Sequence, residues 1–369
     1  MDDRDRSTAY HRQQFVLSGL SFALTVAYLG AWLVTGANVA LRHAVTDLAS
    51  AWWMQIAIAL SVLGLGHRIV TLPITWLSGY ALPRRFGLLH QPFHLWLADV
   101  LKASAIGAVL GIAAALVVYG LLRVTPWWWL WAALIFLAGY ALLALAAPVL
   151  LVPLFYRLTP LAEADLRERL LQLAARAGVP VLGVWVADQS RKSRTANAAV
   201  VGLGRTRRML LFDTLLRDFT ADEIETVLAH ELAHQVHGDI GRGLLVQTAL
   251  TLATLWVADN ALRVGSRTLG LDGPADPAGL PLFGLVMTAI GIAALPIANG
   301  WSRHVERQAD AFALRLTGNP PAFIAAMQRL ASLNLAESEP HPVKEFFLYS
   351  HPSIGRRVRT AQAAGRPPL

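Results

Sequence analysis

Cysteine is absent from the 369-residue sequence. Its absence excludes disulfide bonds, thiolate ligands for a metal ion and a cysteine nucleophile. Any metal ion must therefore be held by histidine, aspartate or glutamate. Charge is also scarce, since charged residues make up 15% of the chain. An average soluble domain carries about 25%.

The few charges are unbalanced, with a net charge of +8 and only three lysines among the 32 basic residues. A basic chain can bind nucleic acid, but no basic stretch here alternates with aromatic residues as a base-stacking surface requires. Arginines beside apolar segments are instead the ordinary sign of membrane orientation. We therefore expect membrane lipid around the protein and no nucleic-acid partner.

Long apolar runs are the main feature that is present. Hydrophobic residues make up 55% of the chain, and the mean hydropathy is +0.47. A helix needs about 20 apolar residues to cross a bilayer. Six stretches reach that length and are predicted as membrane spans: 15–36, 52–77, 100–122, 127–151, 244–262 and 280–299.

The arginines predict how these spans are oriented. Arginine-rich segments lie before the first span and after the second, fourth and sixth, so an even number of spans places them all on one side. By the positive-inside rule that side is the cytoplasm, with both termini there. The richness in arginine and alanine suggests a bacterial genome, and hence a multi-pass protein of the bacterial inner membrane.

The spans divide the chain into four regions. We expect an N-terminal membrane domain with four spans (1–155), a soluble region (156–242), a membrane hairpin with two spans (243–300) and a C-terminal soluble region (301–369). In the first soluble region, a helix at 161–177 precedes predicted strands at 181–187, 195–203 and 208–212. Thr220 and Glu223 then form the capping box of a second helix.

That second helix carries the motif His230-Glu231-Leu232-Ala233-His234. Residues at i and i+4 share one face of a helix, so both imidazoles can reach one metal ion. Glu231 stands beside them, where a carboxylate can accept a proton from the attacking water. The motif predicts a catalytic Zn²⁺ ion held by His230 and His234, although five residues can also match by chance.

A catalytic zinc usually has three protein ligands. Glu306 and Asp310, again at i and i+4, follow the sixth span, and one carboxylate can bind zinc while the other orients a ligand histidine. The alternative is an exposed, charged helix. His237 lies about 10 Å along the helix from His230, so we interpret it as a cation at the helix C-terminus.

These motifs resemble those of the integral-membrane zinc endopeptidases typified by the type I CAAX prenyl protease and the heat-shock membrane protease HtpX. The resemblance extends over about 154–357. It rests on HELAH at 230–234, ERQAD at 306–310, TANAAVVG at 195–202, RRMLLFDTLL at 207–216 and SHPSIGRR at 350–357. The LFDTLL stretch favours the CAAX-protease branch.

With the six predicted spans, the resemblance implies a mainly α-helical integral membrane protein of about six transmembrane helices, with a cytoplasmic α+β catalytic domain of the zincin type that contains a short β-sheet. It implies that His230, His234 and Glu306 bind one zinc ion, that Glu231 is the general base and that Asp310 orients a ligand histidine. It also assigns roles to three residues of other motifs: Asn197 in binding the substrate backbone, and His351 and Arg357 in stabilising the oxyanion.

For those last three residues the alternatives are ordinary structural positions. Asn197 could be a turn residue, His351 a cap before Pro352, and Arg357 a cation on a helix. The eukaryotic members of the family are described with seven spans, so the size of any intramembrane chamber stays open.

The expected reaction is hydrolysis of peptide bonds in hydrophobic, lipidated or membrane-associated peptides. Prenyl specificity does not follow from the motifs. One alternative is a site-2-type intramembrane protease, suggested by Leu271-Asp272-Gly273, although that class places both motifs inside apolar spans. Another is a non-catalytic membrane scaffold with a vestigial zinc site, against which the presence of Glu231 argues.

Overall fold

The computed structural model describes residues 3–202 and 204–365, and most of them are helical. The helices are α1 (Asp3–Val34), α2 (Ala37–Leu48), α3 (Trp52–Trp76), α4 (Leu82–Arg85), α5 (Phe93–Val124), α6 (Trp128–Ala146), α7 (Val152–Phe155), α8 (Ala164–Arg176), α9 (Asp213–Asp218), α10 (Ala221–Val236), α11 (Asp239–Thr268), α12 (Leu280–Thr317), α13 (Pro320–Asn334), α14 (Pro342–Leu348) and α15 (Ile354–Ala364). The strands are β1 (Leu158–Pro160), β2 (Val184–Ala187), β3 (Ala198–Val201) and β4 (Arg208–Phe212).

The six predicted spans are confirmed in the described part of the chain. The helices α1, α3, α5, α6, α11 and α12 are long and apolar enough to cross a membrane. Several extend beyond their apolar stretch, because a helix continues through polar residues once it has left the bilayer. The clearest case is α12, which runs unbroken from the sixth span to Thr317 and carries Glu306 and Asp310 with it.

The spanning helices form a closed ring. Each packs mainly against two others, in the order α1, α3, α5, α6, α11 and α12, and α12 returns to α1. In each spanning helix, at most 22% of the residues in the most apolar 18-residue stretch are buried inside the protein. Apolar surface exposed to this extent suits contact with lipid rather than water. The shorter α2, which the sequence did not predict, packs beside α1 and α3.

Two spans end in an unusual backbone conformation. A five-residue π-helical segment follows α3 at Leu77–Ala81, and another follows α6 at Ala147–Leu151. Each leads into a short helix of four residues, α4 or α7. Single π-helical turns are rare and are frequently found at functional sites.

The soluble part contains a four-stranded sheet in the order β1-β2-β4-β3. The pair β2 and β4 is parallel, whereas β1 pairs with β2 and β3 with β4 in antiparallel fashion. All three predicted strands are present: β4 has the predicted bounds, whereas β2 and β3 are shorter than predicted. The last residue predicted for β3, Leu203, lies outside the described residues. The sequence did not predict β1, which occupies an edge of the sheet where Pro160 is tolerated. The other edge is β3.

The HELAH helix α10 lies in the main soluble core. Its Leu228 is buried together with Leu170 of α8, Leu211 of β4 and Phe323 of α13. The predicted capping box is confirmed, since the Thr220 amide donates to Glu223 Oε2 at 2.8 Å and the Glu223 amide donates to Thr220 Oγ1 at 3.3 Å. This packing fixes where the motif side chains point.

Candidate metal centre

Three side chains meet where α10 packs against α12. His230 and His234 of α10 and Glu306 of α12 each offer a ligand atom, and these atoms lie within 4.8 Å of one another. His230 and Glu306 are buried, whereas the side chain of His234 is 22% exposed. The two helices therefore bring together residues more than seventy positions apart.

The carboxylate of Glu306 lies among the imidazoles without satisfying its own hydrogen bonds. Its Oε2 atom is 3.1 Å from His230 Nε2, and its Oε1 atom is 3.7 Å from His234 Nε2. Oε2 is nevertheless a buried acceptor with no hydrogen-bond donor among the described residues. A metal ion between these donors would satisfy that oxygen, so the residues fit one.

The electrostatics of the site also favour a cation. Burial by itself lowers the pKa of His230, but the carboxylates of Asp310 and Glu306 outweigh burial and raise that pKa to about 9. A positive charge at this position is therefore stabilised, whether a proton or a metal ion carries it. Two imidazoles and a carboxylate are a donor set typical of zinc.

Two residues, Asp310 and Arg357, orient His230 on the side away from Glu306. We call His230, Asp310 and Arg357 the inner brace. His230 Nδ1 lies 2.9 Å from Asp310 Oδ1 and 3.4 Å from Arg357 Nη2. The guanidinium of Arg357 donates to both oxygens of Asp310, at 2.6 Å from Nη2 and 2.9 Å from Nε. The side chains of Asp310 and Arg357 are 5% and 10% exposed. A bidentate pair of this kind sets the orientation of the imidazole.

His234 is fixed by a second carboxylate that the sequence analysis missed. His234 Nδ1 lies 2.9 Å from Asp239 Oδ2, and Arg242 lies 3.4 Å from the other oxygen of Asp239. We call these three residues the outer brace. Gly238, with φ of 66°, turns the chain so that the first residue of α11 faces back towards α10. The sequence feature that could have indicated this contact is Asp239 directly after Gly238, the glycine that ends α10.

Glu231 lies in the same site but without a partner of its own. It is half-buried and makes no hydrogen bond or ion pair to any described residue. Burial raises the pKa of its carboxyl group above the ordinary range, although the nearby histidines act in the opposite direction. A partnerless carboxylate with a raised pKa is a suitable proton acceptor and donor.

Asn197 and His351, the other two predicted site residues, are both exposed. Asn197 is exposed and directly precedes the edge strand β3, where its Oδ1 accepts the Ala198 amide at 2.9 Å. The His351 side chain is 59% exposed, and its Nε2 lies 3.3 Å from Glu306 Oε1. The structure thus places His351 beside the candidate ligands and Asn197 at the start of an edge strand of the described sheet. Their roles stay predictions.

The rival residues lie elsewhere. The ring of His237, at the C-terminal cap of α10, contacts Phe312 at a centroid distance of 5.6 Å. Asp272 of the LDG sequence follows the far end of the 30-residue helix α11 and pairs with Arg42 at 2.7 Å. Since α11 separates the two motifs by about 45 Å, the arrangement of a site-2-type protease is not favoured.

Comparison with known proteins gives matches along almost the whole chain. Residues 160–364 match the model of peptidase family M48, and residues 2–157 match the model described as "CAAX prenyl protease N-terminal, five membrane helices". In 2–157 the described structure contains four helices long enough to span and the shorter α2. These matches confirm the family resemblance inferred from the motifs.

Individual proteins agree with the family models. The chain is 30% identical to the uncharacterized metalloprotease YhfN of Bacillus subtilis, over 91% of this chain and 80% of that protein. It is 29% identical to CAAX prenyl protease 1 of Saccharomyces cerevisiae, over 87% and 75%. The crystal structure of S. mikatae Ste24p matches with a TM-score of 0.87 at 24% identity, covering 98% of this chain and 90% of that one, and supports the fold.

Proposed function

The chain belongs to peptidase family M48 as a multi-pass membrane metalloprotease, and we propose that it is a zinc endopeptidase with one catalytic ion held by His230, His234 and Glu306. The observation that carries the proposal is the convergence of these three donors around the unsatisfied Oε2 of Glu306. Nitrogen and oxygen donors with a position left for water are typical of catalytic zinc.

The protein supplies the proton transfers. A Zn²⁺ ion held by His230, His234 and Glu306 would supply Lewis-acid chemistry, which activates a carbonyl group and a water molecule. Glu231 accepts the proton from that water and passes it to the leaving amine. Its partnerless carboxylate and raised pKa support this assignment. The ion pair of Asp310 with Arg357 keeps His230 oriented for the metal.

The two oxyanion candidates differ in what they can reach. The imidazole of His351 is 59% exposed, with Nε2 beside Glu306 and Nδ1 bonded to Ser350 Oγ, so Nε2 could face a substrate carbonyl. The guanidinium of Arg357 already pairs with Asp310 and is 10% exposed. We therefore propose that His351 contacts the oxyanion and that Arg357 acts mainly through Asp310 and His230.

The edge strand β3 offers a place for the substrate backbone. A peptide in extended conformation could pair with β3 by strand addition, with Asn197 at the start of the strand holding it in register. Such pairing recognises the backbone and leaves side-chain preference to the surroundings. One cavity is lined both by Val201 at the end of β3 and by Leu145 of the span α6, so we propose hydrophobic, lipidated or membrane-associated peptides as substrates. The name of the yeast relative, CAAX prenyl protease 1, agrees with a lipidated peptide.

The richness of the chain in arginine and alanine leads us to propose a location in the bacterial inner membrane. We propose that the metal centre and both termini face the cytoplasm, because the segments on that side carry most of the arginines. In this orientation the substrate reaches the site from the cytoplasm or along the membrane surface.

The direct test replaces Glu231 with glutamine. We expect cleavage of a model peptide by the zinc-loaded protein in detergent to fall by at least about 100-fold, while zinc content stays unchanged. Glu306→Ala is the matched control, because it should lose zinc as well as activity. Unchanged turnover in Glu231→Gln would contradict the mechanism, and full zinc retention in Glu306→Ala would contradict the third ligand.

A further inference from the structure

We propose that the groove between α1 and the π-helical end of the second span binds one anionic glycerophospholipid, with its phosphate between Arg12 and Arg85. The groove has a volume of about 520 Å³. It belongs to neither the metal centre nor the edge strand, and it does not depend on the proposed peptidase activity.

One wall of the groove is formed by a single face of α1, which we call the stripe. Ala9, Arg12, Gln13, Val16 and Leu17 all line it, with the spacing of one helical face. Arg12 stands where the polar start of α1 gives way to the apolar run that begins at Phe15. The stripe is therefore charged towards the water and apolar towards the bilayer.

The opposite wall has the same polarity. Leu77 and Ala81 belong to the π-helical segment, and Leu82 and Arg85 belong to α4. The apolar residues lie on the span side and Arg85 lies at its end. A groove with a cationic rim and an apolar floor, at the boundary of two spans, matches an amphiphile rather than a soluble anion.

The two arginines are available for a ligand. Both are exposed, and neither makes an ion pair or hydrogen bond with any described residue. Their neighbour Arg84 differs, because it donates to Tyr80 Oη at 3.0 Å and to the Gln91 carbonyl at 3.1 Å. The planar guanidinium groups suit bidentate bonds to phosphate.

The walls are held in place independently of any ligand. The Gln14 side chain donates to the Ser78 carbonyl at 3.3 Å, and Arg6 donates to the Phe86 carbonyl at 3.2 Å. The rings of Tyr10 and Phe86 meet edge to face at 5.4 Å. Because these contacts join α1 to both ends of the opposite wall, the groove is preformed. A preformed groove costs less ordering on binding.

The test measures lipid binding to the full-length protein after delipidation in detergent, by native mass spectrometry. We expect one dioleoyl phosphatidylglycerol to bind more tightly than dioleoyl phosphatidylcholine. The double variant Arg12→Gln/Arg85→Gln should weaken phosphatidylglycerol binding by about tenfold or more. The matched control is Arg267→Gln, an exposed arginine at the last turn of another span, which should bind as the unaltered protein does.

A second variant tests the apolar floor with both arginines intact. Ala81→Trp fills the groove and should abolish the preference for phosphatidylglycerol. Binding that is unchanged in either variant, equal for the two lipids or equally lowered by Arg267→Gln would overturn the proposal. Full competition by millimolar inorganic phosphate would also overturn it, because it would identify a site for a soluble anion.

Discussion

The inner and outer braces hold two histidines of one helix in very different surroundings. In the inner brace the carboxylate of Asp310 is 5% exposed and its arginine, Arg357, is 10% exposed. In the outer brace Asp239 is 9% exposed, but its arginine, Arg242, is 46% exposed. The same chemistry is therefore buried on one side of the metal centre and open to water on the other.

The difference in burial indicates which of the two histidines is held in a fixed orientation. A buried, bidentate ion pair has one geometry and fixes the imidazole that it contacts. An exposed pair is screened by water and contributes little to orientation. Both histidines can bind the metal, but His230 is buried against the pair of Asp310 with Arg357, whereas the side chain of His234 is 22% exposed. We expect substitutions in the inner brace to have the larger effects.

The largest effect is expected for Asp310→Asn. This change removes a charge from a buried pair and leaves the guanidinium of Arg357 buried without its counter-ion. Zinc affinity should fall by about 100-fold, and the free energy of unfolding should fall by about 3–5 kcal/mol. Zinc competition with a chelator and thermal unfolding measure the two quantities.

A control for Asp310→Asn is Asp218→Asn, which alters a surface pair with Arg217 and should change neither quantity. Retention of normal zinc affinity in Asp310→Asn would mean that His230 is oriented by the helix alone, and the contrast between the braces would disappear.

A smaller effect is expected for Asp239→Asn. The asparagine keeps an acceptor for His234 Nδ1 but loses the negative charge that strengthens the bond. Zinc affinity should fall by about tenfold, with little change in unfolding, because no buried cation is left alone. The same chelator competition checks this, and a loss equal to that of Asp310→Asn would show that exposure does not separate the two braces.

The sequence could predict the carboxylate of the inner brace, Asp310, but not that of the outer brace, Asp239. Asp310 follows Glu306 by one helical turn, so a helical pattern alone places both carboxylates on one face. Asp239 depends instead on the turn at Gly238, which reverses the chain so that α11 starts beside α10. The helical periodicity of the sequence does not continue across such a turn. The contact of Asp239 with His234 is therefore visible only once the relative orientation of α10 and α11 is known.

The same limit applies to the fold. Apolar length was enough to predict six spans, because a helix in lipid must satisfy its own backbone. Closure of the ring by α1 against α12 joins the first span to the last, and no local pattern encodes that contact. Likewise, the motif was enough to place Arg357 on a helix. The sequence could not show whether its guanidinium pairs with Asp310 or contacts the oxyanion.

The smallest effect is expected for Arg242→Gln. Arg242 also donates to Gln308 at 3.1 Å, so the glutamine can keep a polar contact while the charge is lost. Exposed ion pairs contribute about 0–1 kcal/mol, and zinc affinity should therefore change by less than about threefold. The informative comparison is Arg357→Gln, measured by the same chelator competition, which should weaken zinc binding at least several times more. If the two substitutions had equal effects, burial would not be what distinguishes the inner brace, and the histidines would be held by their carboxylates alone.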